Sequence, residues 1–304
     1  MRPDGDDDER RRAKTFTATL VSLVAAAVLV SVLVTPAAAV VVSRLGFHFP
    51  FSRIFDRVAM AAIGAALLWQ RRRLKLGARL ERGFARPRLN FAKMLRGLIA
   101  GIAGVAMLWL LAALQSPPKM VGLRGLVLHA PAALATGLAV GVIEEGFFRA
   151  FLLDGLQQEF GAAPALVASA AVYAAAHLVR PQARAQISRL DMGAGLRNLE
   201  GALRGLMALR ALAGFIGLFL LGLVLGLAFQ RTRTAYFSTG FHAGLVFAAK
   251  SWRYAASAPE NVARWIGGYG WPPLVSGAAA WIMLTAVLLL LGPLSGTPRR
   301  RQSS

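Results

Sequence analysis

The sequence predicts an all-α, polytopic membrane bundle of about eight transmembrane helices, with its chemistry gathered in the C-terminal half. Three observations predict it. Of 304 residues, 56% are hydrophobic and only 16% charged, a balance unlike that of a soluble domain of this length. The apolar residues fall in runs close to the ~20 that a helix needs to cross a bilayer. The 31 glycines suit helices that pack backbone to backbone in lipid, where small residues permit close approach.

Residues 1–16 form a charged tail. The first span, about 17–42, follows the basic run RRRAK and precedes TPAAA. That order resembles a signal peptide, but the apolar run is long enough to span and acids precede the basic run, so an uncleaved helix is expected. A second, short span covers about 54–69. Residues 70–96 form a basic loop holding ten of the 35 Lys and Arg, expected to face anionic lipid head groups. The third span, about 94–114, ends at Ser116-Pro117-Pro118. The fourth covers about 130–153. The fifth, about 164–179, ends at Arg180-Pro181. The sixth covers about 209–229, the seventh 234–249 and the eighth 272–291, before a basic tail. These divisions make 17–120 an N-terminal helical region, 121–250 the core and 251–304 the last loop, span and tail. Between the fifth and sixth spans, Leu196, Leu199, Leu203 and Leu206 recur at helical spacing with Arg197 and Arg204 on other faces, which predicts an amphipathic helix lying on lipid. The distribution of Lys and Arg places both termini in the cytoplasm, and the Ala/Arg/Gly-rich composition points to a bacterial inner membrane.

Charge and composition also exclude. The chain has no Cys, which removes disulfides, thiolate zinc sites and cysteine nucleophiles. Its net charge of +21 sits mostly in runs bordering apolar segments, so head groups rather than nucleic acid are the expected partner. No internal repeat or Gly-rich phosphate loop is present, and the repeat halves expected of a transporter are not evident.

Within the fourth span lie Glu144, Glu145 and Arg149. Each charge at the centre of a bilayer costs roughly 2.5–3.5 kcal/mol on insertion scales, so three in six residues need partners or a purpose. Glu145 and Arg149 are four apart and can pair on one helix face. Glu144 points about 100° away, at the end of a strip begun by Gly137 and Gly141 that lets a neighbouring helix approach. A structural knot of ion pairs explains all three charges. A functional alternative divides them, with Glu145–Arg149 structural and Glu144 chemical. The fifth span adds Tyr173 and His177, four apart, and the seventh adds His242. A lone histidine in a span usually makes one helix-to-helix hydrogen bond. Two on separate spans, with a carboxylate on a third, point to a site. His48 and His129 lie outside this set.

Two chemistries fit these residues. Glu144 beside a neutral His177 can activate water as general base, with His242 hydrogen-bonding the oxyanion of an attacked carbonyl. Alternatively, Glu144, His177 and His242 supply the two-His, one-carboxylate set of a hydrolytic zinc site. HExxH is absent. Elsewhere, Gly222 and Gly226 form a GxxxG that serves helix packing or a homodimer. Trp252, Tyr254, Trp265, Tyr269 and Trp271 read as an interfacial belt.

Over about 130–250 the chain resembles the CPBP (CAAX protease and bacteriocin-processing, or Abi) family of intramembrane proteases. Glu144-Glu145-Gly-Phe-Phe-Arg149 matches its EExxxR motif in full. Tyr173 and His177 match the second motif, an aromatic ahead of a histidine. The last motif, a histidine followed four residues later by Asn or Asp, is matched only at His242, since position 246 is Val. The resemblance implies hydrolysis of a peptide bond in a membrane-associated protein or peptide. Glu144 and His177 would activate water, His242 would assist at the carbonyl oxygen, and Glu145, Arg149 and Tyr173 would support. It implies either a metalloprotease, with zinc on Glu144, His177 and His242, or a metal-free glutamate mechanism. Val246 leaves an oxyanion donor missing, for which Ser238, one turn before His242, is a candidate. It also keeps open a non-catalytic scaffold or immunity protein of the same fold.

Overall fold

A computed structural model describes residues 4–119, 122–179, 190–256, 262–269 and 275–291. Among them are helices and no strand: α1 (Asp4–Arg44), α2 (Phe51–Trp69), α3 (Leu76–Gly83), α4 (Pro87–Gln115), α5 (Leu123–Glu145), a π-helical segment (Gly146–Leu153), α6 (Asp154–Phe160), α7 (Ala162–Leu178), α8 (Ala194–Met207), α9 (Leu209–Thr232), α10 (Tyr236–Ala255), α11 (Arg264–Gly267) and α12 (Ala278–Leu291). The all-α membrane bundle is the observed class. Large apolar side chains stand exposed along α1, α4, α5 and α12, including Leu29, Ile99, Leu110, Ile143 and Leu289. In water that surface would aggregate; in lipid it is solvated.

Four helical stretches are long and apolar enough to cross a bilayer: Phe16–Arg44, Pro87–Gln115, Arg124–Phe160 and Ala211–Thr232. The helices at the fifth and eighth expected spans, α7 and α12, are apolar but short. Those at the second and seventh, α2 and α10, fall outside both classes. Arg53, Asp56 and Arg57 interrupt the start of α2, and Ser238, Thr239 and His242 that of α10.

The core is organised around α10, which lies between α4 and α5. Glycines make this possible. A Cβ on Gly240 or Gly244 would run into the carbonyls of Met94 and Leu98 on α4. One on Gly97 or Gly101 would meet the Phe237 and Phe241 carbonyls in return. On the other side, Gly137 and Gly141 lie against the carbonyls of Ala243 and Thr239. Contacts with backbone rather than with flexible side-chain ends leave an added methyl nowhere to go. Gly240→Ala is therefore expected to lower the thermal midpoint of the purified protein, an overpacking cost of about 1–3 kcal/mol. Gly64→Ala on α2, where a Cβ meets nothing within 4 Å, should leave it unchanged or slightly higher.

Around this centre, α7 packs on α9, α1 packs on α2, α6 and α8, and α12 covers α9. The Gly222/Gly226 motif packs within the chain, against Ala170 and Leu166 of α7. The expected amphipathic helix is present as α8. Its Ala194, Gly195, Asn198 and Ala202 face inward, while Leu196, Leu203 and Met207 face out. Arg180-Pro181, Trp271 and the C-terminal basic run lie outside the described residues.

One arginine of the basic loop is turned inward. Part of the loop folds as α3, and Arg79 is buried there at 4% exposure. Its guanidinium binds the Leu74 carbonyl (3.0 Å), Asp154 Oδ2 (2.6 Å) and Gln158 Oε1 (3.2 Å), and lies over the Phe16 ring. Arg82 reaches the same carboxylate at 2.8 Å. Burial pulls the Arg79 guanidinium below its ordinary pKa, and Asp154 opposes that pull. Gly83 then fits against Ala150 of the π-helical segment, and its carbonyl accepts from the Ala235 N–H at 2.8 Å. Helix α3 thus ties the π-helical segment that follows the acidic pair to the start of α10. No periodicity in the sequence pairs Asp154 with Arg79, 75 residues away.

Candidate active site

Each functional side chain reaches the site by a different route. Glu144 and Glu145 occupy the last turn of α5, where the Gly137–Gly141 strip has brought α10 close. Immediately after them the helix widens into its π-helical segment, a distortion frequently found at functional sites. Periodicity alone predicts an unbroken α-helix through Arg149, so the widening was not legible. Ser169 of α7 donates to the Phe148 carbonyl in this segment (3.1 Å). His177 projects from the last turn of α7, and His242 from the middle of α10.

The buried half of the site is an ion-pair knot, one of the two expected readings of the acidic pair. Glu145 is fully buried and Arg149 is 1% exposed. Arg149 Nη1 donates to Glu145 Oε1 at 3.1 Å, and Nη2 to the Gly222 carbonyl at 3.4 Å. The guanidinium carbon lies 4.6 Å from the Tyr173 ring centroid, a cation–π contact. Tyr173 is itself buried and packs edge-on to Phe148. The same Glu145 Oε1 lies 3.0 Å from His242 Nδ1, a contact the sequence reading did not foresee. It makes Glu145 the residue that orients His242.

The other half is partly open. Glu144 is 27% and His177 29% exposed. His177 Nε2 is 3.3 Å from Glu144 Oε2, and His242 Nε2 is 3.8 Å from the same oxygen. Neither contact is aligned as a hydrogen bond. The Nδ1 partners explain the orientation. His177 Nδ1 lies 2.9 Å from the Tyr173 carbonyl, which can only accept, so Nδ1 carries the proton and Nε2 turns to Glu144. Glu145 fixes His242 in the same sense. Two imidazole nitrogens and one carboxylate oxygen therefore converge from three helices, the oxygen itself buried within a pair of partly exposed side chains.

All six sequence-predicted residues, Glu144, Glu145, Arg149, Tyr173, His177 and His242, come together. His48 is exposed, and exposed His129 stacks on Tyr254 with centroids 4.0 Å apart, on the turns of α5 and α10 remote from the acidic pair. The Ser238 hydroxyl is fully buried and already donates to the Ala235 carbonyl at 3.0 Å. It is therefore not a spare donor for Val246. The Thr239 hydroxyl on the next residue is 1% exposed and has no partner. Glu144, His177 and His242 have the donor types of a zinc site, but among the described residues no three His, Asp or Glu side chains stand in metal-holding arrangement.

A family model described as type II CAAX prenyl endopeptidase, Rce1-like, matches residues 125–248. The match takes in α5, the π-helical segment and α10, and with them every residue of the site. No curated protein and no solved structure matches the chain. Residues 125–248, which carry the site, thus match the CPBP/CAAX protease family that the motifs resemble.

Proposed function

We propose that the protein is an intramembrane endopeptidase that hydrolyses a peptide bond in a membrane-associated protein or peptide, using water activated by Glu144 and His177. The reading rests on one observation above all: Glu144 Oε2 faces both imidazole Nε2 atoms at 3.3 and 3.8 Å within the family-matched segment.

The chemistry follows from the hydrogen bonds. A water held between Glu144 and His177 Nε2 loses its proton to the carboxylate as its oxygen attacks the scissile carbonyl carbon. Negative charge moves to the carbonyl oxygen. In its imidazolium form, His242 keeps Nδ1–H on Glu145 and donates Nε2–H to that oxyanion. Glu144 then passes the proton to the leaving amine as the C–N bond breaks, and the carboxyl product departs. With Val246 unable to donate and Ser238 engaged, Thr239 is the nearby hydroxyl on α10 that remains available. Arg149 and Tyr173 act on Glu145 and His177, not on the substrate.

Val246 is also what favours the second reading, a non-catalytic membrane scaffold or immunity protein of the same fold. The two separate in liposomes containing purified protein and membrane extracts from cells that lack it. New peptide termini should appear with wild type. Since no step passes through a metal, cleavage should persist after chelation with EDTA or 1,10-phenanthroline. Loss on chelation, with recovery on adding zinc, would replace the glutamate mechanism with a metal one. No new termini would favour the scaffold.

A further inference from the structure

On the side of α5 turned away from Glu145 lies an apolar groove of about 370 Å³, outside the reacting atoms. Leu76 and Leu80 of α3 and Phe84 just after it form one wall; Val142 and Ile143 of α5 and Phe147 of the π-helical segment form the other. Its lining is almost wholly carbon, and Val142 and Ile143 are exposed at its mouth, so it opens outward among lipid-facing side chains. A cavity with so few polar atoms holds no ordered water. In a bilayer the natural filling is a hydrocarbon chain.

Charge at its ends says which chain. Lys75 immediately precedes Leu76, and Arg86 follows Phe84 by two residues. Both are exposed and both hold left-handed backbone, φ 50° and 51°. Glycine takes that conformation with less strain, so backbone geometry does not account for a cation at either place. Arg72 and Arg73 are exposed one turn before the groove. By contrast Arg79 and Arg82, on the other side of α3, are engaged by Asp154. Two basic residues of 70–96 are thus committed to the fold while Arg72, Arg73, Lys75 and Arg86 flank an apolar slot, with Glu81 the one acid in the stretch.

We infer that this groove is a binding site for an anionic phospholipid, one acyl chain lying between α3 and α5 and the phosphate at one of the groove's basic ends. The site would brace the helix that carries Glu144 and Glu145 against α3.

Native mass spectrometry of the full chain, equilibrated with phosphatidylglycerol, phosphatidylcholine or free oleate, tests this. Phosphatidylglycerol should be retained over phosphatidylcholine by about fivefold, in line with one surface cation acting on an anionic head group. The double variant Lys75→Gly/Arg86→Gly should bring the two lipids near parity. Its thermal midpoint in neutral nanodiscs should be equal or higher, because glycine suits both backbone positions. Leu80→Trp, which fills the groove, should lower retention of both phospholipids. Equal retention by the wild type, or a preference that survives the double glycine variant, would overturn the inference. So would oleate binding as well as phosphatidylglycerol, or a copurified polypeptide occupying the groove instead of lipid. If Leu80→Trp fails to fold, the glycine variants still decide the matter.

Discussion

Glu145→Ala is expected to remove the protein from the membrane rather than to slow it. The substitution strands Arg149, which is 1% exposed, with only the Gly222 carbonyl and ring faces for company. Removing one partner of a buried ion pair costs about 3–5 kcal/mol, because the other charge stays buried without compensation. It also takes away the acceptor that orients His242 Nδ1. Membrane abundance and thermal midpoint should both fall steeply. The companion Glu145→Leu/Arg149→Met removes both charges and should recover much of the stability without recovering cleavage, since His242 loses its anchor. Wild-type abundance for Glu145→Ala would mean that the buried pair contributes little to the fold.

Glu144→Gln has the opposite signature. Glu144 is partly exposed and none of its oxygens makes an aligned hydrogen bond to protein, so an isosteric amide should be tolerated. Abundance and thermal midpoint should match wild type. Cleavage should fall by about 10³-fold, within the 10²–10⁴-fold range of general acid–base catalysis. His177→Ala should also be expressed normally and lose activity, because Nε2 no longer holds the water. The contrast between adjacent glutamates is the informative result. One sets abundance, the other turnover.

Much of this was legible in the sequence, for identifiable reasons. A charge in an apolar run is conspicuous, so Glu144, Glu145, Arg149, His177 and His242 stood out without an alignment. The Gly137–Gly141 spacing also announced which side of α5 a neighbour would approach. What stayed hidden were relations that depend on tertiary register. Nothing in the spacing assigns Glu145 Oε1 to His242 Nδ1, 97 residues away, or Asp154 to Arg79. The π-helical widening after Glu145 follows no periodicity in the sequence. Span counting met a different limit. The helix of the site's own His242, α10, is not among the stretches apolar enough to cross a membrane, because His242, Lys250 and Arg253 interrupt its apolar run.

In the proposed mechanism three helices assemble a water-activating carboxylate, Glu144, within the membrane. This is tested most directly by mapping peptide termini in membranes of cells expressing wild type or Glu144→Gln at matched abundance. The account predicts a defined set of cut products in the wild type and their intact precursors in the variant. Identical termini in the two membranes would contradict it.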